Sequence, residues 1–153
     1  MITALTVDHA LAIAPHLRES DRAEIRATEG HDVDWSAWAH RIVAIEGHAT
    51  VGLVDGAPFV MGGFFEVPSA VGQTCGVWMV ATPTIETPMG AQVAACLVER
   101  GHREAKKRFT HAITWSDITN AAGMHMLARL GYAEGEVVEL GGRLFQQFGK
   151  ALR

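Results

Sequence analysis

Apolar side chains recur every three or four residues in several parts of the chain, which is the spacing of one helix face. The clearest case opens at Asp34, where the apolar positions are Trp35, Trp38, Ile42 and Ile45. The pattern predicts a helix capped by Asp8, a second near Ser20 and a third over about 34–46. It also predicts a long helix over 88–109 and a last one over 120–130.

Runs rich in Val, Ile, Phe and Met predict strands between these helices. The runs separated by Asp55-Gly56 and Gly141-Gly142 are typical of hairpins. The runs at 48–54, 58–67 and 72–82 are consecutive and predict an antiparallel meander. A long helix separates 72–82 from 111–116, so these two strands should be parallel. The remaining strands are predicted at 2–6, 136–140 and 144–148.

The order of elements predicts a fold of the α+β class, an α/β mixture with six to seven strands in one mixed sheet flanked by helices. The 153 residues suffice for a single domain over 1–153, and 48% hydrophobic with 20% charged residues excludes a disordered chain. The start, MITALTVDHA, lacks the basic and apolar regions of a signal peptide. No run approaches the roughly 18 apolar residues of a membrane span.

Charge is distributed unevenly along the chain. Residues 1–99 contain 12 acidic and 4 basic residues, whereas 100–153 contain 5 and 9. The net charge of −4 argues against a general nucleic-acid binder, because phosphate contacts dominate such binding. The basic window at 100–108 predicts a protein partner or self-association through Arg100, Arg103 and Lys107. The alternative is a solvated helix end.

The segment TNAAGMHMLARLGYAE places Asn120, Gly123, Leu127, Gly131 and Tyr132 at characteristic spacing. Together with the order of elements, it resembles the GNAT superfamily of N-acetyltransferases over nearly the whole chain. The segments HLRESDRAEIRA and NAAGMHMLARLGY are also similar to the tailed-phage branch of internal virion proteins and acetyltransferase-like relatives. The resemblance implies a sheet whose parallel strands part to form a cleft. It places the protein in the cytoplasm of a bacterial host cell or in the virion.

The resemblance also implies a site for acetyl-CoA. Backbone amides at the start of the long helix would bind the pyrophosphate, and main-chain groups of the strand before it would align the thioester arm. Asn120 would orient the cofactor, and Glu66 or Asp117 would serve as general base. The other cofactor-binding positions are Val77, Met79, Val80, Met89, Gly90, Ala91 and Gln92.

The sequence departs from the family pattern at three places. The segment ATPTIETPMGAQ has no Arg or Gln three residues before Gly90, and Pro88 removes an amide donor. Leu127 stands where many relatives have a tyrosine that protonates the departing thiolate. The segment GQTCGVWMVAT contains no glutamate that could deprotonate the amine. These departures favour a phage-type accessory or virion-associated protein with a degenerate acetyl-CoA site and no cofactor. The alternative is an active acetyl-CoA-dependent N-acetyltransferase that acts on a small amine or a protein lysine.

Other candidate chemistry is weaker. No His-x3-His or Cys-x2-Cys spacing occurs, so no metal site is predicted. The four tryptophans are expected in the core rather than stacked on a ligand, because they fall at helical spacing or at strand centres.

Overall fold

Seven strands form one mixed sheet in the computed structural model, which describes residues 1–70 and 72–153. The strand order is β1-β2-β3-β4-β5-β7-β6. The predicted fold class is confirmed, and the meander over β2, β3 and β4 is antiparallel as expected. The strands are β1 (Ile2–Ala4), β2 (Gly47–Val54), β3 (Ala57–Val67), β4 (Thr74–Ala81), β5 (His111–Asp117), β6 (Ala133–Leu140) and β7 (Arg143–Ala151).

Among the described residues, five helices flank the sheet, and polar side chains cap the first turns of four of them. Asp34 accepts a hydrogen bond from the Ala37 N–H, and Asn120 accepts one from the Gly123 N–H. The cap predicted at Asp8 is wrong: Thr6 caps the first helix, because the strand before it ends earlier than predicted. The helices are α1 (Val7–Ile13), α2 (Glu19–Glu29), α3 (Trp35–Ala44), α4 (Pro88–Ala105) and α5 (Ala121–Arg129), with 3-10 turns at Ala14–His16 and Pro83–Glu86.

The helices divide between the two faces of the sheet. Side chains of α1, α2 and α3 pack on one face, around Ile13, Trp38 and Met61. Side chains of α4 and α5 pack on the other, around Leu97 and Phe148. An opening between two strands of the sheet would therefore be lined by different helices on its two faces.

The parallel strands β4 and β5 part along their length, as predicted. Their ladder joins Thr74–Gly76 to His111–Ile113 and extends no further among the described residues. However, β4 continues to Ala81 and β5 to Asp117. The carboxyl ends of the two strands therefore border a V-shaped gap.

The long helix ends earlier than predicted, at Ala105. Phe109 still donates its N–H to the Ala105 carbonyl, but the Thr110 N–H donates to the Gln73 carbonyl and leads the chain into β5. The second half of the basic window therefore lies in the turn after α4. No helix among the described residues has the length and apolarity to span a membrane.

Candidate active site

The gap between β4 and β5 opens into a cavity of about 110 Å³. Its walls come from both strands, from α4 and α5 on one face of the sheet, and from α2 on the other. The cavity therefore connects the two faces, which a fully paired sheet would separate.

Side chains of β4 alternate between these two faces. Val77 and Met79 pack against the α4 and α5 side, whereas Trp78 and Val80 pack against the α1 to α3 side. Val77, Trp78 and Met79 line the cavity, and Val80 does not. The strand segment proposed to align a thioester arm is therefore at the gap, with its side chains divided between the walls.

The backbone of β4 also alternates. Thr82 donates its N–H to the Phe59 carbonyl across the β3–β4 ladder, at 2.8 Å. Neighbouring residues of an antiparallel strand direct their backbone groups to opposite sides. The backbone groups of Val77, Met79 and Ala81 are consequently directed away from β3, toward the gap.

At Ala81 these groups are already bonded to α2. The Ala81 N–H donates to Asp21 Oδ2 at 2.9 Å, and the Arg18 N–H donates to the Ala81 carbonyl at 2.9 Å. Asp21 also receives two hydrogen bonds of 3.0 Å from the Arg18 guanidinium. We call this arrangement of Arg18, Asp21 and Ala81 the α2–β4 clamp.

The next turn of α2 reaches the end of β5. Glu24 Oε1 accepts hydrogen bonds from the Asp117 N–H at 3.0 Å, Asn120 Nδ2 at 3.1 Å and Ser116 Oγ at 3.3 Å. Helix α2 thus bridges the open end of the V, because Asp21 is hydrogen-bonded to β4 and Glu24 is hydrogen-bonded to β5. The sequence placed both residues on a helix but gave no sign that they face the site.

Burial raises the pKa of Glu24, because it penalises the ionised carboxylate. The bonds from Asn120 and Asp117 oppose this effect, and the negative charge of Asp21 adds to it. No salt bridge of the described residues includes Glu24. A carboxylate with a raised pKa is a stronger base than an ordinary glutamate and is suited to accept a proton from a ligand in the cavity.

Asp117, predicted as a candidate base, is the last residue of β5 and only 2% exposed. Its Oδ1 accepts bonds from the Thr119 N–H and hydroxyl, and its Oδ2 accepts one from Arg143. Burial would raise the pKa of Asp117, but the bonds from Thr119 and Arg143 outweigh burial and lower it. This carboxylate is ionised and saturated with donors, so it is a weak base.

Glu66, the other candidate, lies far from the gap. It pairs with Cys75 at the end of the sheet where β4 and β5 are still joined. Together with Glu46 and Arg108, it lines a second cavity of about 260 Å³. The structure therefore does not bring Glu66 to the same site as Asp117.

Asn120 lines the gap, but both of its polar atoms are engaged within the protein. Its Oδ1 caps α5 through the Gly123 N–H, and its Nδ2 donates to Glu24. Asn120 therefore orients Glu24. A cofactor that contacts Asn120 directly would have to compete with Glu24 for Nδ2 or with the Gly123 N–H for Oδ1.

The start of α4 contains the residues predicted to bind pyrophosphate, Met89, Gly90, Ala91 and Gln92. Thr87 caps this helix: its Oγ1 accepts a bond from the Gly90 N–H, and its carbonyl accepts one from the Ala91 N–H. A Cβ at Gly90 would lie 1.9 Å from the Thr84 carbonyl oxygen. The helix start therefore requires glycine at position 90. Two of its backbone N–H groups already have a hydrogen-bond acceptor in Thr87.

A histidine–tyrosine pair lines the cavity from the α4 and α5 side. His102 Nε2 and the Tyr132 hydroxyl are 2.8 Å apart. Burial lowers the pKa of His102, with smaller effects from Lys150 and Lys106, and burial raises the pKa of Tyr132. Both side chains are consequently neutral near pH 7. Leu127 lines the same wall, whereas His125 is exposed.

Two tryptophans expected in the core also reach the cavity. Trp78 is half-buried, and Trp115 is 39% exposed. Trp38, in contrast, is buried as predicted. The gap exposes Trp115 because β5 lacks a neighbouring β4 strand at this point.

Comparison with solved structures shows which known fold has this parted sheet. An N-acetyltransferase from Staphylococcus aureus Mu50 matches 100% of this chain and 98% of its own, with a TM-score of 0.71 at 16% identity. A probable GNAT-family acetyltransferase from Chromobacterium violaceum matches 99% of this chain and 86% of its own, with a TM-score of 0.71 at 12% identity. The fold is the GNAT fold.

A third GNAT-fold structure, yncA from Salmonella typhimurium, was solved with its cofactor acetyl-CoA. It matches 100% of this chain and 94% of its own, with a TM-score of 0.67 at 13% identity. No protein-family model matches the chain, and neither does any curated protein sequence. Nothing in the comparisons supports the expected resemblance to phage virion proteins. At such low identities, the agreement establishes the GNAT fold and leaves the reaction to be argued from the gap.

Proposed function

We propose that the protein is an acetyl-CoA-dependent N-acetyltransferase. The observation that carries the proposal is the cavity between the parted strands, which joins the two faces of the sheet and contains a carboxylate with a raised pKa. An acyl transfer between two substrates needs both to meet at one point, and a gap through the sheet allows each to enter from its own face.

The wall formed by α4 and α5 fits the acyl-bearing arm of acetyl-CoA. Leu127, Met126 and Leu130 are apolar, and the backbone groups of Val77 and Met79 are directed toward the gap. An extended chain with amide groups can pair with such a strand edge. When bound, acetyl-CoA would supply an activated acetyl group, and this chain would position the amine.

A second candidate is an accessory protein, of phage type and virion-associated, that uses the scaffold without binding a cofactor. The Thr87 cap favours this candidate, because it already occupies the Gly90 amide that a pyrophosphate would require. Glu86 beside it would also repel a phosphate. The two candidates differ in one measurable property, the affinity for acetyl-CoA.

Calorimetric titration with acetyl-CoA tests the proposal directly. We expect micromolar binding by the unmodified protein and its loss in L127W, because the indole would fill the apolar wall. The matched control is H125W, which places the same side chain on the exposed side of the same helix. Circular dichroism would confirm that both variants are folded. No heat and no thermal shift with acetyl-CoA would favour the accessory protein.

A further inference from the structure

We infer that Glu24 is the general base of this site and that the acceptor is a primary amine entering from the face covered by α1, α2 and α3. The inference rests on the proposed acetyltransferase function. It concerns a residue outside the two candidates that the sequence suggested, Glu66 and Asp117.

The position of Glu24 is fixed from both strands of the gap. The α2–β4 clamp holds the start of its helix against β4, and three donors at the end of β5 hold its Oε1. The described residues give Oε2 no hydrogen-bond partner, and this atom is not sealed from solvent. One oxygen therefore anchors the carboxylate, and the other is available to a ligand.

The surrounding charges distinguish Glu24 from its neighbours. Asp21 is paired with Arg18, and Asp117 is paired with Arg143. On the opposite wall, His102 is neutral because burial lowers its pKa. Glu24 is thus the carboxylate of this cavity without a cationic partner, and an ammonium group is the ligand that would complete the pair.

The aromatic walls indicate what the amine is attached to. Trp78 and Trp115 line the same cavity as Glu24, and Trp115 is partly exposed. A cation is attracted to an indole face, and an apolar group packs against it. The chemical class is therefore a primary amine on an apolar or aromatic carbon skeleton.

The proton and electron balance of the step is simple. The ammonium gives one proton to Glu24 Oε2, and the freed nitrogen lone pair forms a bond to the acetyl carbonyl carbon. The carbon–sulfur bond breaks, and the sulfur leaves with the electron pair and takes the second proton of the nitrogen. Glu24 then releases its proton to solvent, so the products are an amide, a thiol and one proton.

The test compares E24Q with E19Q, using acetyl-CoA and phenethylamine as probes. Glutamine retains an oxygen that can accept the three hydrogen bonds but removes the base. Glu19 is an exposed carboxylate on the same helix, paired with Arg26. Since general-base catalysis contributes roughly 100-fold to 10,000-fold, we expect kcat of E24Q to fall at least about 100-fold, with the heat of acetyl-CoA binding unchanged. E19Q should match the unmodified protein.

A second readout does not depend on turnover. The side-chain carboxyl carbon of Glu24, labelled with carbon-13, should titrate above the ordinary glutamate range. Phenethylamine alone should lower that pKa, because an ammonium stabilises the ionised form. The signal should be missing in E24Q and present in E19Q.

The outcomes separate the two proposals. If the unmodified protein does not bind acetyl-CoA, the proposed function fails, and the titration still decides whether Glu24 binds an amine. If acetyl-CoA binds and E24Q acetylates phenethylamine at the normal rate, the assignment of Glu24 is overturned while the function stands. If acetyl-CoA binds and the unmodified protein acetylates no phenethylamine, the inferred substrate class is wrong.

Discussion

Removing the Asp21 side chain should weaken the attachment of α2 to the sheet and lower the free energy of unfolding by a measurable amount. Asp21 is 3% exposed and accepts hydrogen bonds from Arg18 and from the Ala81 N–H. Breaking a buried ion pair costs about 3–5 kcal/mol. The Arg18 side chain is 17% exposed and can regain some solvent. We therefore expect D21A to lose about 2–4 kcal/mol, since the Ala81 N–H is also left without a partner.

The variant D21N separates the charge from the backbone bond. Its amide oxygen can still accept from Ala81, so only the charge-assisted part is lost, about 1–2 kcal/mol. At about 2–4 °C per kcal/mol for a chain of this size, D21A should lower the melting temperature by roughly 5–15 °C, and D21N by about half of that.

Urea unfolding followed by tryptophan fluorescence gives both free energies. The control is E19A, which removes the exposed partner of Arg26 and should cost less than about 1 kcal/mol. If D21A is no less stable than E19A, the clamp does not hold α2. If D21N and D21A are equally unstable, the backbone bond to Ala81 contributes nothing.

Three further predictions concern other parts of the molecule. G90A should destabilise the start of α4 by about 1–3 kcal/mol, because its Cβ would clash with the Thr84 carbonyl. G101A should not be destabilising, since nothing lies within 4 Å of a Cβ at that position. Urea unfolding of the two variants measures the difference. The pKa of His102 is lowered in the folded state, so its contribution to stability should be present above the unfolded pKa of about 6.5 and lost as pH falls through the folded value. Urea unfolding between pH 8 and 5 should show this decrease in the unfolding free energy for the unmodified protein, and H102Q should lack it. The double variant R103E/K107E should weaken a protein–protein contact at low salt, seen by light scattering. It should cost at most about 1 kcal/mol, since Arg103 forms an exposed pair within α4 and Lys107 forms one from the turn after it. An unchanged species at every salt concentration would indicate a solvated surface only.

Local patterns determined the elements and much of the sheet. Asp34 begins its helix as predicted, because a side-chain oxygen beside the first turn can reach a free amide wherever the helix lies. Gly131 has the positive φ of +82° expected after a helix. The parallel pairing of β4 and β5 also followed from the sequence, because a long helix between two strands requires a crossover.

The site depended on contacts that no local pattern contains. Glu24 is 92 to 96 residues from its three donors in the chain, and on its own helix it is one more polar residue. Asp117 was recognised as a carboxylate at a strand end, but the cation that saturates it comes from β7. Glu66 also lies at the end of a strand, yet its register places it where β4 and β5 are still joined. Sequence fixes which residues are ionisable, whereas the packing of α2 across the gap decides which of them is buried, unpaired and able to take a proton.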